Sequence, residues 1–180
     1  MRPSIAALAL ALATFACAGS DEPPDELSGA VIDELATDQG SASGSAWSGI
    51  YAAEFSKTSC DCPTLDIDGM PLDVCSLVVQ NQAEIELTQA DGFLVVEIGS
   101  TMAMLTGAIE ADDGFVVAGH QNLSTVVGVI ELLGRIDGSL EMVDGVAWMS
   151  GDLGQRVIGE FAGTEVDCRW IGEVSASRGP

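Results

Sequence analysis

From Trp47 onward, apolar positions rich in Val, Ile and Leu recur in short runs, and Asp-Gly pairs punctuate them at Asp68-Gly69, Asp91-Gly92, Asp113-Gly114, Asp137-Gly138 and Asp144-Gly145. Asp-Gly accepts the positive φ angles of tight turns, so each pair is a predicted strand reversal. The strands predicted between these turns are 49–56, 76–80, 83–88, 93–98, 102–110, 115–121, 126–136, 139–143, 146–149, 156–163 and 166–174. Glu84-Ile85-Glu86-Leu87-Thr88 has the cleanest period of two. No stretch after Trp47 sustains a period of 3.6, so helices are expected to be few. Between Leu72 and Gly179 there is no proline, which suits central strands because proline cannot donate to a ladder.

Several predicted strands carry interior glycines: Gly107, Gly128, Gly134, Gly159, Gly163 and Gly172. In a flat sheet these would only weaken pairing, whereas a closed barrel uses them for tight bends and coiling. The expected fold is therefore all-β, an antiparallel meander closing into a small barrel, with a β-sandwich as the alternative.

Upstream of Trp47 the pattern is different. Arg2 precedes an uncharged apolar run from Ile5 to Ala16, too short for a bilayer span, which needs about 20 residues, and small residues follow it. This reads as an export signal over 1–18. Residues 19–46 hold seven acidic side chains, no basic one, Pro23-Pro24 and the run Gly40-Ser41-Ala42-Ser43-Gly44-Ser45-Ala46. Such composition is expected to form an acidic flexible tether. Leu27, Val31 and Leu35 mark a short helix that has nothing evident to pack on. Residues 47–180 form the predicted barrel domain.

The five cysteines refine the compartment. Thr14-Phe15-Ala16-Cys17 resembles the lipobox of bacterial lipoproteins, which implies lipidation with palmitate at Cys17 and a cell-envelope location, whereas Ala16-Cys17-Ala18 offers cleavage after Ala18 and full secretion instead. The other four, Cys60, Cys62, Cys75 and Cys168, are an even set in a chain bound for an oxidising compartment. Joining Cys60 to Cys62 would make a strained small ring, so one bridge is expected to reach Cys75 and the other Cys168. A four-cysteine zinc site is the alternative, but Cys-Asp-Cys lacks the C-x2-C spacing of zinc knuckles. No motif calls for a cofactor.

Trp47-Ser48-Gly49-Ile50-Tyr51 at the start of the first predicted strand, followed by an antiparallel meander, resembles the opening of lipocalin-like (calycin-type) barrels, although there the glycine precedes the tryptophan. The resemblance implies a barrel of roughly eight to ten strands able to hold a small apolar ligand. Met102, Met104, Met142 and Met149 are candidate wall residues of such a ligand site if they point inward.

The chain carries 28 acidic and 6 basic side chains, a net charge of −22. This argues against nucleic-acid binding, since phosphate contacts need clustered Lys and Arg, and the five basic residues after Arg2 are scattered along the sequence. The acidic loop holding Asp66, Asp68 and Asp73 beside Gly69 is a candidate calcium site, with the hard oxygen donors that calcium prefers but without EF-hand spacing. The single histidine, His120, has no Gly-x-Ser-x-Gly elbow or second His to work with. The expected function is thus a lipid-anchored binding module, for a small apolar ligand or an envelope partner, and not an enzyme. The alternatives are a self-filled interaction barrel and a hydrolase with carboxylates converging on His120. Metabolic labelling with a palmitate analogue is expected to tag the chain but not Cys17→Ser; equal labelling of both would exclude a lipid on Cys17.

Overall fold

The computed structural model describes residues 25–67, 69–77, 82–99, 103–125, 128–161 and 163–179. In chain order the elements are α1 (Gly29–Leu35), β1 (Gly49–Cys60), β2 (Thr64–Ile67), β3 (Met70–Asp73), α2 (Val74–Leu77), β4 (Gln82–Ala90), β5 (Phe93–Ile98), β6 (Ala103–Ile109), β7 (Gly114–Thr125), β8 (Gly128–Val143), β9 (Val146–Phe161) and β10 (Thr164–Arg178). Eight strands close into an antiparallel ring in the order β1-β10-β9-β8-β7-β6-β5-β4, and β2-β3 form a separate hairpin. The expected barrel is what forms. The first and last strands pair over most of their length, from Ala52↔Ser177 to Cys60↔Trp170.

The predicted strand 93–98 coincides with β5, and the turns at Asp91, Asp113 and Asp144 all adopt positive φ, at 54°, 66° and 53°. The pair Asp137-Gly138 does not turn. It lies inside β8, where Gly138 stands opposite Phe115 on one side and Gly151 on the other. A Cβ at Gly138 would overlap the Ser150 carbonyl and crowd the Phe115 ring, so this glycine makes room for an aromatic core residue. In the same way the predicted strands 146–149 and 156–163 are parts of one continuous strand, β9. In place of the predicted strand 76–80, residues 74–77 form the helical turn α2, and 78–80 lie outside the described residues.

Alternation sorts side chains to two faces, because successive Cβ atoms in a strand point to opposite sides. Inward positions form the main core, including Tyr51, Ala53, Ile85, Leu87, Leu94, Val96, Phe115, Val117, Ile136, Met149, Trp170 and Val174, with Trp47 at one end. Long β8, β9 and β10 run past this core at the opposite end, where the β2-β3 hairpin covers their inward face with Leu65 against Val157, Val166 and Cys168. Two disulfides pin that hairpin, Cys60–Cys75 and Cys62–Cys168, the pairing pattern expected from the cysteine spacing.

The expected acidic flexible tether is corrected over residues 25–46, which pack on the barrel. Helix α1 lies on the outside of β6, β7 and β8, and Leu27 and Ile32 are buried against Ala118 and Leu133. An isolated seven-residue helix would be unstable. Full burial of Leu27 and Ile32 supplies about 1.5–3 kcal/mol each, which the free segment could not gain. The Gly-Ser run then crosses the barrel end: Gly40 N–H donates to the Gly92 carbonyl (2.9 Å), Ala42 N–H to Ile109 (3.1 Å), and Asp91 N–H to Gly44 (2.9 Å). A Cβ on Gly40 would overlap the Ile109 carbonyl, and one on Gly92 the Gly40 carbonyl. These glycines permit close backbone approach, a role that composition alone does not distinguish from flexibility.

Charge holds the start of this segment. Arg135, Arg156 and Arg169 project from the outer faces of β8, β9 and β10 and meet its two acids, Arg135 pairing with Glu26 (3.2 Å), and both Arg156 (3.0 Å) and Arg169 with Asp25; within the sheet Arg135 also pairs with Asp137 (2.8 Å) and Arg156 with Asp167 (2.7 Å). The paired hydrogen bonds from Arg156 hold the Asp167 carboxyl below the ordinary carboxylate range, with the Arg156 and Arg169 charges adding to an effect that partial burial opposes.

Two outcomes follow for stability. Removing Cys62–Cys168, which spans 106 residues, is expected to cost more than removing Cys60–Cys75, which spans 15, about 4.7 against 3 kcal/mol on the chain-entropy account; urea unfolding of the two double-serine variants checks the order. Arg156→Gln is expected to cost about 1 kcal/mol at pH 7, the scale of exposed ion pairs. Because Asp167 has a lowered folded-state pKa, this contribution is full above about pH 4, the unfolded carboxylate value, and fades as pH falls below it. Urea titrations at pH 7 and pH 3 should therefore show the wild-type advantage shrinking at the lower pH.

Candidate functional site

The closed end of the barrel is built around Trp47. Its indole N–H donates to Asp113 Oδ1 (3.0 Å), its backbone N–H to Gln89 Oε1 (3.2 Å), and its carbonyl accepts from the Tyr51 hydroxyl (2.9 Å). Arg178 near the end of β10 lies 5.3 Å from the Tyr51 ring centroid and donates to the Ser48 and Ala46 carbonyls. Burial pushes the Tyr51 phenol up, against the opposing charge of Arg178. Every polar group named here faces a partner inside the protein, so this end is a plug.

Of the methionines expected to line a ligand chamber, Met149 is buried in the main core, while Met104 and Met142 are 60% and 54% exposed. Met104 pairs with Glu97 on the outward face, and Met142 sits one pair from the β8-β9 turn, at the rim. Met102 lies outside the described residues. The four therefore do not form one wall.

The outer face over β4, β1, β10, β9 and β8 presents a different surface. Cross-strand register aligns Gln82, Glu54, Ser175, Ser150 and Ser139 in one row and Ser56, Glu173, Asp152 and Asp137 in the next. An open groove of about 690 Å³ lies over these rows, and a second of about 600 Å³ adjoins it, bounded by Glu54, Glu84, Ala52, Ser177 and Trp148. Among the described residues no Lys or Arg lines either groove. Trp148 is 43% exposed, whereas Trp47 and Trp170 are buried. Small side chains floor the surface, carboxylates rim it, and one indole forms a wall: this geometry suits an extended cationic segment, since an ammonium or guanidinium is attracted both to carboxylates and to an indole face. The residues escaped notice in the sequence because only the register, set by long-range pairing, brings five strands' alternate positions into rows. The available signal was parity: Trp148 alternates with buried Ala147 and Met149.

Beneath the β2-β3 hairpin lies a cavity of about 150 Å³ lined by Leu65, Leu72, Val74, Ile130, Leu132, Val157, Phe161 and Val166.

The acids of the candidate calcium loop serve the chain itself. Asp66 Oδ1 accepts from Gly69 N–H (2.7 Å) and Asp73 Oδ1 from Cys75 N–H (3.0 Å); Asp68 lies outside the described residues. With Asp66 opposite Pro71 and Asp73 opposite Thr64, the two carboxylates sit at different rungs of the hairpin, and among the described residues no acidic cluster of metal-binding geometry forms there. The cysteine sulfurs come close together because they are bridged, which leaves no thiolate for zinc. Cys17 lies outside the described residues.

His120 does meet carboxylates, as the hydrolase alternative required. Its Nε2 is 2.8 Å from Glu131 of β8 and its Nδ1 3.5 Å from Asp33 of α1. Both acids sit on the outer surface, and the imidazole bridges the helix to the sheet. No family model, no curated protein and no solved structure matches this chain.

Proposed function

We propose that this protein is an exported, lipid-anchored barrel module of the cell envelope that binds a basic protein segment through the outer face of β4, β1, β10, β9 and β8. One observation carries the reading: two adjoining grooves are rimmed by Glu54, Glu84, Asp152 and Glu173, with Asp137 beside them held by Arg135; among the described residues no Lys or Arg lines either groove, and the second ends at the exposed Trp148. The main core, by contrast, is occupied by the barrel's own side chains, so recognition falls to the outside. Export is supported by the apolar run at Ile5–Ala16 and by two disulfides, which persist in oxidising compartments. In this reading the protein is not an enzyme, and His120 ties α1 to the barrel. The alternative of a small-ligand carrier is favoured by the hairpin cavity.

The probe is an extended Lys-Ala repeat peptide titrated into the full chain. Binding is expected to weaken at least tenfold in Glu54→Lys/Glu173→Lys and several-fold in Trp148→Ser, and to stay nearly unchanged in Glu160→Lys/Glu165→Lys, a pair with the same charge change at the β9-β10 end. Equal weakening by both charge reversals would reduce the surface to bulk electrostatics and overturn the assignment.

A further inference from the structure

We infer that the cavity under the β2-β3 hairpin is a binding site for a compact hydrocarbon of about six to eight heavy atoms. The inference is independent of the partner reading, since this cavity and the acidic grooves share no lining residue. Its floor is the inward face of β8, β9 and β10, where Leu132 pairs with Val157, and Ile130 and Val166 both pair with Gly159. Its roof is Leu65, Leu72 and Val74. None of the eight lining side chains carries a hydrogen-bonding atom, so a polar ligand would leave its own donors and acceptors unpaired. A molecule without polar groups loses no hydrogen bonds on entry and gains dispersion contacts with the floor and the roof.

Size narrows the class further. An apolar pocket of about 150 Å³ is too small for a lipid-sized ligand but matches a molecule the size of benzene. The roof also has a reason not to collapse onto the floor. Cys60–Cys75 ties it to β1 and Cys62–Cys168 ties it to β10, so its height above the sheet is set by covalent links at both sides. The space persists because the surrounding chain cannot relax into it. Gly159, with φ of 141°, adds no side chain to the floor.

The test is a benzene titration of the oxidised full chain followed by methyl-resolved NMR. Saturable shifts are expected at Leu65, Leu132, Val157 and Val166, with Leu94 and Val117 of the main core unmoved. Val157→Phe and Ile130→Phe each fill the space from the floor, and each is expected to weaken benzene binding at least tenfold with β circular dichroism retained. Two variants guard against a failure of one to fold. No saturable shift in the wild type, shifts centred on Leu94 and Val117, or undiminished binding in the folded filled variants would each overturn the site.

Discussion

Strand β1 is paired along both edges, with β10 on one side and β4 on the other, and the rest of the molecule depends on that double pairing. It closes the ring, so neither the first nor the last strand of the meander is left as a terminal edge strand. It also divides every alternating strand into an enclosed face, which must be apolar, and an outer face, which is free to carry charge. The segment leaving β1 emerges beside β10, which is why Cys62 meets Cys168 and why the hairpin that follows is laid over the projecting ends of β8 to β10. The plug at one end, the roofed cavity at the other and the rows of the outer face all inherit their positions from this closure.

The distribution of charge adds a second layer of order. Arg135, Arg156 and Arg169 hold the N-terminal segment, Arg178 donates to the carbonyls beside Trp47, and Lys57 Nζ donates to the Cys75 carbonyl at 3.2 Å. Each of the five cations after Arg2 is thus engaged in holding one part of the fold to another. The acids far outnumber them. Of those on the outer rows, Asp137 is paired with Arg135, while Glu54, Asp152 and Glu173 have no Lys or Arg among the described residues that line their groove, so the local field there is negative at short range as well as in net charge.

What was legible in the sequence is what depends on near neighbours. Asp91, Asp113 and Asp144 turn because Asp-Gly tolerates positive φ, and Glu84 to Thr88 alternate because one face is buried. The even cysteine count and the adjacency of first and last strands were also readable, since chain connectivity constrains both. Where a distant contact decides, the local signal misled. Gly138 follows Asp137 as in a turn, yet the Phe115 ring gives it a place inside a strand. Gly40 and Gly44 look like linker residues, yet they run against Gly92 and Asp91 of another hairpin. The outward direction of Met104 and the rows through Glu54 and Glu173 rest on register, which no single stretch of sequence specifies.

The docking of residues 25–46 changes how far the domain can stand from an attachment point. Were the chain free up to Trp47, a lipid on Cys17 would leave a reach of about 100 Å. With the chain held at Asp25 by Arg156 and Arg169, only the eight peptide links from Cys17 remain, at most about 28 Å fully extended. That is shorter than the diameter of a domain of this size, about 40 Å. An anchored molecule would therefore graze the bilayer with its arginine-bearing flank, and its freedom to rotate, more than its distance, would govern which partners could approach the opposite side.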